Sequence, residues 1–133
     1  MEKWKNVLAK IKYDDKGLVS AIALDRSSGQ VLMLAYMNEA TLLKTLETKI
    51  MTYWSRSRQK EWIKGETSGN TQTVLAVKLD CDGDALQFTV QPNGIGAACH
   101  EGYKSCFFRE LNDGQWEVKD KPMFNPNEVY GKN

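Results

Sequence analysis

Apolar residues recur at helical spacing in two segments of the chain. The first segment predicts a short amphipathic helix near the N-terminus, with apolar positions Trp4, Val7, Leu8 and Ile11. In the second, Asn38 stands directly before EATLLKTLETK and predicts a helix N-cap, with Glu39 favourably placed in the first turn. The side chains of this second helix that we expect to face inward are Leu42, Leu43 and Leu46.

Other runs have the composition and alternation of β-strands. LVSAIALD (18–25) and VLMLAYM (31–37) flank the turn residues RSSGQ, which predicts a hairpin. The second run is apolar almost throughout, so we expect it to be buried on both faces. Two clearer strands, 71–80 and 84–91, each carry one apolar face, formed by Leu75, Val77 and Leu79 and by Leu86, Phe88 and Val90. The remaining predicted strands are 50–57, 107–111 and 115–120.

These elements predict one domain of the α+β class, a mainly antiparallel β-sheet with one or two packed helices. The length of 133 residues fits one domain. The segment 92–106 interrupts the strand pattern with three glycines and two cysteines, and we interpret it as a functional loop.

Charge and composition narrow the classes of function. The net charge is +1, so the chain lacks the basic field of proteins that bind nucleic acid or membranes. No apolar run reaches the roughly 18 residues of a membrane span, and the charged start does not resemble a signal peptide. We therefore expect a cytoplasmic protein whose three cysteines serve metal binding, nucleophilic attack or simple burial rather than disulfides.

The pentapeptide DCDGD (80–84) concentrates three carboxylates around one thiol. One interpretation is a solvated turn, because Asp-Gly favours hairpin turns. The other starts from a strand that continues through Asp82, so that Asp80 and Asp82 face one way, Asp84 lies close by, and Cys81 faces the other way. Carboxylate oxygens suit Mg²⁺ and a thiolate suits Zn²⁺, so the segment can contribute to two metal sites.

The cysteines follow the pattern C-x17-C-x6-C, which lacks the paired knuckles of structural zinc sites. Three thiolates, from Cys81, Cys99 and Cys106, would leave one tetrahedral position open, as catalytic zinc requires. The alternative is that the cysteines are buried as small apolar residues. The one histidine, His100, follows Cys99 in the glycine-rich loop, where an imidazole could move protons for a zinc-bound water.

The stretch 53–72, YWSRSRQKEWIKGETSGNTQ, mixes basic, aromatic and hydroxyl side chains. It is compatible with a solvated strand pair, with stacking on single-stranded nucleic acid, or with capture of a phosphate. In a strand, Arg56 and Arg58 would share one face and form a phosphate clamp.

Four blocks of the chain together resemble phosphoribosyl-AMP cyclohydrolase, an enzyme family of histidine biosynthesis. The blocks are VLMLAYMNEATL (31–42), YWSRSRQKEWIKGETSGNTQ (53–72), DCDGDAL (80–86) and AACHEGYKSCFF (97–108). They cover most of residues 18–110, whereas residues 1–16 and 112–133 carry little of the resemblance and are expected to be peripheral.

The resemblance implies a metal-dependent hydrolase that opens the adenine ring of phosphoribosyl-AMP between N1 and C6, by attack of zinc-bound hydroxide on C6. It implies an intertwined homodimer with a small-molecule substrate and no nucleic-acid or membrane partner. The implied zinc ligands are Cys81 (from the other subunit), Cys99 and Cys106, and the implied magnesium ligands are Asp80, Asp82 and Asp84. His100 would transfer protons. The residues expected to hold phosphate and ribose are Arg56, Arg58, Lys64, Thr67, Ser68 and Gly69.

Two features qualify the resemblance. Glu101 stands where the family often has Thr, which adds a charge beside the implied site. The chain carries no pyrophosphohydrolase domain like that of some relatives, so we expect it to be monofunctional. The rival interpretations are a zinc nucleoside deaminase, whose H-x-E and P-C-x-x-C motifs are absent, and a zinc-stabilised nucleic-acid-binding module.

Overall fold

A computed structural model describes residues 2–125 of the chain. The part of the tail from residue 126 onward, predicted to be irregular, lies outside the described residues. A 3₁₀ turn, Glu2–Trp4, leads into helix α1, Lys5–Ala9, and the longer helix α2 is Glu39–Thr48. The strands are β1 (Val19–Asp25), β2 (Val31–Met37), β3 (Thr52–Ser55), β4 (Lys60–Ile63), β5 (Gln72–Leu79), β6 (Ala85–Pro92), β7 (Arg109–Asn112) and β8 (Gln115–Val118).

The central sheet has four strands in the order β2-β1-β6-β5. The predicted β1–β2 hairpin is confirmed, and β5 and β6 form a second antiparallel pair. The two hairpins join through β1 and β6, which run parallel to each other. The α+β architecture with mainly antiparallel strands is thus confirmed, and the one parallel pair was not predicted from the sequence.

Helix α2 begins as its sequence predicts. The Asn38 side chain accepts a hydrogen bond from the Thr41 N–H at 2.9 Å, and the Thr41 hydroxyl accepts one from the Asn38 N–H at 3.0 Å. This capping box satisfies donors that the first helical turn leaves free. Leu42 and Leu46 are buried and Leu43 is half-buried against the core. The helix therefore covers β2 and β3 with its apolar face.

Most of the core comes from the alternating faces of the central sheet. In β6, Leu86, Phe88 and Val90 are buried as predicted. At the N-terminus, Leu8 and Ile11 reach the same core, while Val7 is exposed and α1 stops at Ala9. Burial of these side chains removes apolar surface from water, the largest favourable contribution to folding.

Two predictions about the strands are wrong in detail. Strand β2 is not buried on both faces, since Val31 and Leu34 are 40% and 43% exposed. It lies at the edge of the sheet, where one side lacks a neighbouring strand. The strand predicted over 50–57 ends at Ser55, because residues 56–59 form the turn into β4.

Strand β5 forms as predicted, but its register with β6 shifts between Val74 and Ala76, which interrupts the predicted alternation, and its apolar side chains are uncovered. Leu75, Val77 and Leu79 are 50%, 39% and 40% exposed, on the strand at the other edge of the sheet. The predicted closing strands form a separate hairpin, β7–β8, around the turn Asp113-Gly114. Across residues 2–125, no helix has both the length and the apolar character needed to span a membrane.

Candidate metal and substrate site

The loop that carries Cys99 and His100 is a tight turn held by its own backbone. The N–H of Cys99 donates to the Tyr103 carbonyl at 3.1 Å, and the N–H of Gly102 donates back to the Cys99 carbonyl at 2.9 Å. Gly102 has φ +99°, and a Cβ there would lie 2.3 Å from the Phe124 carbonyl oxygen. Only glycine tolerates both the backbone conformation and the close approach.

The same loop is fastened to the β1–β2 hairpin at three points. The Cys106 N–H donates to the Leu32 carbonyl at 2.7 Å, and the Ser105 hydroxyl donates to the Val31 carbonyl at 2.7 Å. Lys104 Nζ lies 2.9 Å from Oδ2 of Asp25. These contacts place Cys106 against the start of β2.

Cys99 and Cys106 lie close enough to interact directly. Cys106 is exposed as a residue, yet desolvation of its thiol, together with the neighbouring Cys99, raises the pKa of that thiol to about 12. The Cys99 sulfur accepts a hydrogen bond from the Glu101 N–H at 3.4 Å. Two soft donors side by side, with an N–H directed at one of them, form a pair that suits zinc, and zinc would replace both thiol protons.

A cavity of about 580 Å³ opens beside this thiol pair. It brings together six of the residues that the sequence implicates, namely His100, Cys106, Arg58, Lys64, Thr67 and Ser68. Trp62 and Lys60 also line it. The sequence placed Trp62 in an aromatic stretch without singling it out, and the structure shows it as the aromatic residue among those that line the cavity.

Arg56 and Gly69 are not among the residues that line this cavity. The guanidinium carbon of Arg56 lies 4.0 Å from the centre of the Tyr36 ring, in a cation–π contact. The expected pairing of Arg56 and Arg58 on one strand face is wrong, because both lie in the turn after β3. Gly69 instead shapes the loop, donating its N–H to the Gly65 carbonyl at 2.8 Å.

Lys64 is the most buried basic residue of the cavity wall, at 4% exposed. Burial lowers the pKa of its ammonium, while the nearby Cys106 and Cys99 act in the opposite direction. Its N–H donates to the Met51 carbonyl at 3.0 Å, which fixes the residue at the end of β4.

The three aspartates form a second cluster, with one oxygen from each lying within 4.8 Å of the others. Their proximity does not come from strand alternation as expected, since β5 ends at Leu79 and DCDGD is the turn into β6. Asp80 Oδ1 accepts the N–H groups of Asp84 at 3.0 Å and Ala85 at 3.3 Å. The turn interpretation and the carboxylate cluster are therefore both correct.

The closeness of the three carboxylates affects the pKa values within this cluster. Hydrogen bonds with Asp82 and Asp80 raise the pKa of the Asp84 carboxyl to about 6. A divalent cation would remove the repulsion that keeps this proton in place. The exposed oxygen donors fit Mg²⁺, which binds through one or a few carboxylates and retains waters.

The structure keeps the two donor sets apart within one chain. Asp82 and Asp84 line a second cavity, of about 390 Å³, with Lys12, Tyr13 and Tyr36. Cys81 is exposed on the aspartate turn. Among residues 2–125, the aspartates form the one group of three or more potential ligands within 4.8 Å, so Cys81 does not join Cys99 and Cys106 in this chain.

Comparison with known proteins gives a consistent result. A family model described as phosphoribosyl-AMP cyclohydrolase matches residues 33–108. The chain is 54% identical to the phosphoribosyl-AMP cyclohydrolase of Chlorobium phaeovibrioides over 96% of this chain and 93% of that protein. It is 53% identical to the protein of the same name from Chlorobium chlorochromatii, over 99% of this chain and 96% of that protein. It is 50% identical to the one from Neisseria gonorrhoeae, over 96% of both chains.

The family model includes β2, the aspartate turn and the cysteine loop, the segments that carry the two donor sets. The relatives extend the match into both ends of the chain, including the N-terminal segment that reaches the core. These relatives all carry the same family name, at 50–54% identity over nearly the whole chain. The chain therefore belongs to the phosphoribosyl-AMP cyclohydrolase family and is a hydrolase.

Proposed function

We propose that this protein opens the adenine ring of phosphoribosyl-AMP by hydrolysis between N1 and C6, as a step of histidine biosynthesis. The observation that carries the proposal is the single cavity in which the Cys106 thiol, His100 and the basic and hydroxyl side chains of residues 58–68 meet. Ring hydrolysis needs an activated water at one end of the substrate and phosphate recognition at the other, and the cavity wall offers donors of both kinds.

Zinc is the proposed cofactor at the thiol end, held by Cys99, Cys106 and Cys81 of the partner subunit. When bound, zinc supplies a Lewis acid that lowers the pKa of its water, so that hydroxide is available to attack C6. The direct contact between Cys99 and Cys106 supports two of the three ligands. The thiol ligands also favour a cytoplasmic, reducing location.

A homodimer is part of the same proposal, because one chain leaves the thiol pair short of its third ligand. The uncovered apolar face of β5, formed by Leu75, Val77 and Leu79, supports such an assembly. This face runs directly into the turn that carries Cys81, so covering it would bring that turn to a second copy. An edge strand with an exposed apolar face is otherwise prone to unwanted association.

Magnesium is the proposed ion of the aspartate turn, with Asp80, Asp82 and Asp84 as its ligands. Their clustered oxygens and the raised pKa of Asp84 support this assignment. The bound cation would balance carboxylate charge and offer open positions to substrate phosphate or water.

The chain's own side chains bind and orient the substrate. Arg58, Lys64, Thr67 and Ser68 would hold phosphate and ribose by charge-assisted and hydroxyl hydrogen bonds. Gly69 would contribute through the shape of its loop, and the role of Arg56, which lies outside this cavity against Tyr36, stays a prediction from the sequence. The flat indole of Trp62 is placed to stack against the adenine.

His100 is the proposed proton-transfer residue. It lies in the cavity next in sequence to Cys99. An imidazole there can take a proton from the attacking water and return it to the leaving N1 of the ring. No nucleic-acid partner is part of the proposal.

An ultraviolet progress curve tests the reaction and its metal together. Zinc-depleted protein is incubated with phosphoribosyl-AMP and Mg²⁺, before and after stoichiometric Zn²⁺ is returned. We expect the absorbance change of ring opening only after zinc returns, and Cys99→Ala should abolish it. Intact substrate after confirmed zinc binding would refute the proposed reaction, and full turnover with full zinc content in Cys99→Ala would refute the zinc-hydroxide step.

A further inference from the structure

Lys64 differs from the other basic residues of the cavity in its burial. It is 4% exposed, whereas Arg58 and Lys60 on the same wall are exposed. Placing an ammonium where water hardly reaches it is unfavourable unless an anionic group compensates. A phosphate that enters from solvent would contact the exposed side chains of Arg58 and Lys60 first. The burial of Lys64 therefore indicates that its electrostatic partner is a different group.

The backbone holds Lys64 in this buried place. Its N–H donates to the Met51 carbonyl at 3.0 Å, which ties the end of β4 to the strand beside it. The next residue, Gly65, has φ +85°, and a Cβ there would lie 2.3 Å from the Thr71 nitrogen. Because the chain turns back at Gly65, residue 64 cannot move outward without disrupting the loop that follows.

The groups that act electrostatically on Lys64 are the two thiols. Lys64 and Cys106 line the same cavity, and Lys64 interacts electrostatically with both Cys106 and Cys99. Lys64 therefore stands at the thiol end of the cavity, on the side where the proposed zinc would bind.

The change of charge on zinc binding determines how Lys64 affects the thiol site. Three neutral thiols that bind one Zn²⁺ release three protons, and the site changes from neutral to a net charge of −1. A cation held a few ångströms away stabilises the charged state relative to the neutral one. Because Lys64 is buried, salt and water screen this attraction less than one between two fully exposed charges.

We propose that Lys64 is the counter-charge of the zinc–thiolate group, a positioning residue that strengthens metal binding, in place of the phosphate contact expected for it from the sequence. This inference rests on the proposed zinc site. The partner it assigns to Lys64 is an anionic metal–thiolate cluster that includes Cys106 of the same cavity wall, rather than the substrate phosphate.

The test is the zinc affinity of full-length variants, measured by competition with a chromophoric chelator. Lys64→Met keeps the length of the side chain and removes the charge, and we expect zinc affinity to fall about 10- to 100-fold, the usual range for groups that support metal ligands. Lys64→Arg retains the charge and should recover most of the affinity. Lys60→Met, a change of the same kind on the same wall, should bind zinc as the wild type does.

Kinetics at saturating zinc separate the two roles of Lys64. A counter-charge predicts that Lys64→Met lowers kcat and leaves KM within about twofold of the wild type, whereas a phosphate clamp predicts a raised KM. Lys64→Gln, which keeps a polar end, serves if the methionine variant does not fold.

The outcomes distinguish this inference from the function on which it rests. Unchanged zinc affinity in folded Lys64→Met, beside a wild-type protein that binds zinc and turns over substrate, would overturn the inference alone. A wild-type protein that binds no zinc would overturn the proposed metal site and the inference together. Reduced zinc affinity in Lys64→Met, restored in Lys64→Arg, would establish the counter-charge.

Discussion

Lys104 Nζ lies 2.9 Å from Oδ2 of Asp25, and this ion pair joins the cysteine loop to the turn of the β1–β2 hairpin. The Asp25 carboxylate is 7% exposed, and it also accepts the Ser27 N–H at 3.2 Å and the Ser28 hydroxyl at 3.0 Å. A carboxylate satisfied in this way organises the turn and the loop around one charge.

Asp25→Asn should destabilise the protein and loosen the cysteine loop. The amide loses the charge that Lys104 and the turn donors stabilise, and we expect the free energy of unfolding to fall by about 1–3 kcal/mol. Urea unfolding measures the loss, and hydrogen exchange at residues 98–106 measures the loosening. Lys119→Met breaks the exposed pair with Glu117 and should cost less than about 0.5 kcal/mol. Equal losses in the two variants would contradict the role assigned to Asp25.

The effect of Asp25 should depend on pH with a definite sign. The hydrogen bond from Lys104 is the main reason that the pKa of Asp25 lies below its ordinary value in the folded protein. Its contribution is therefore present above the unfolded pKa near 3.9 and is lost as pH falls through the lower folded value. The stability difference between wild type and Asp25→Asn should be constant from about pH 5 to 7 and shrink below about pH 4. A difference that grows on acidification would contradict this assignment.

Gly83→Ala should displace the aspartate turn. Gly83 has φ +81°, and a Cβ there would lie 2.8 Å from the Lys10 carbonyl oxygen, while its own carbonyl accepts the Lys12 N–H at 2.8 Å. We expect a loss of about 2–3 kcal/mol in unfolding free energy and weaker Mg²⁺ binding. Gly29→Ala is the matched control, since Gly29 has φ +75° with open space around it, and it should lose only about 1 kcal/mol. Equal losses would show that the contact with Lys10 has no energetic effect.

Magnesium binding should weaken in acid because of Asp84. Its pKa is raised to about 6 by hydrogen bonds with Asp82 and Asp80, so the bound cation must displace a proton below that pH. We expect Mg²⁺ affinity to fall about tenfold per pH unit below about pH 6 and to level off above about pH 7. Titration calorimetry between pH 5 and 8 measures this, and Asp84→Asn should bind more weakly with a flatter pH profile. The same slope in Asp84→Asn would assign the proton to another group.

Local sequence patterns predicted the positions of several strands, the start of helix α2 and the cluster of aspartates. Apolar positions located β5 and β6, Asn38 marked the start of α2, and the strands predicted over 107–111 and 115–120 correspond to β7 and β8. These features depend on interactions between residues close together in the chain, which period and capping describe well. The aspartates of DCDGD were likewise recognisable as a cluster, because three residues within five positions lie close together whether the segment is a strand or a turn.

Tertiary structure alone decided which groups share a cavity. The β1–β6 parallel pairing, the ion pair of Lys104 with Asp25 and the burial of Lys64 beside the thiols join segments far apart in sequence. Arg56 and Arg58 are two residues apart and of the same type, yet of the two only Arg58 lines the cavity beside the thiol pair, because the chain turns after Ser55. Periodicity predicts which side of its own strand a residue faces, but the neighbour it meets there depends on how distant strands pack.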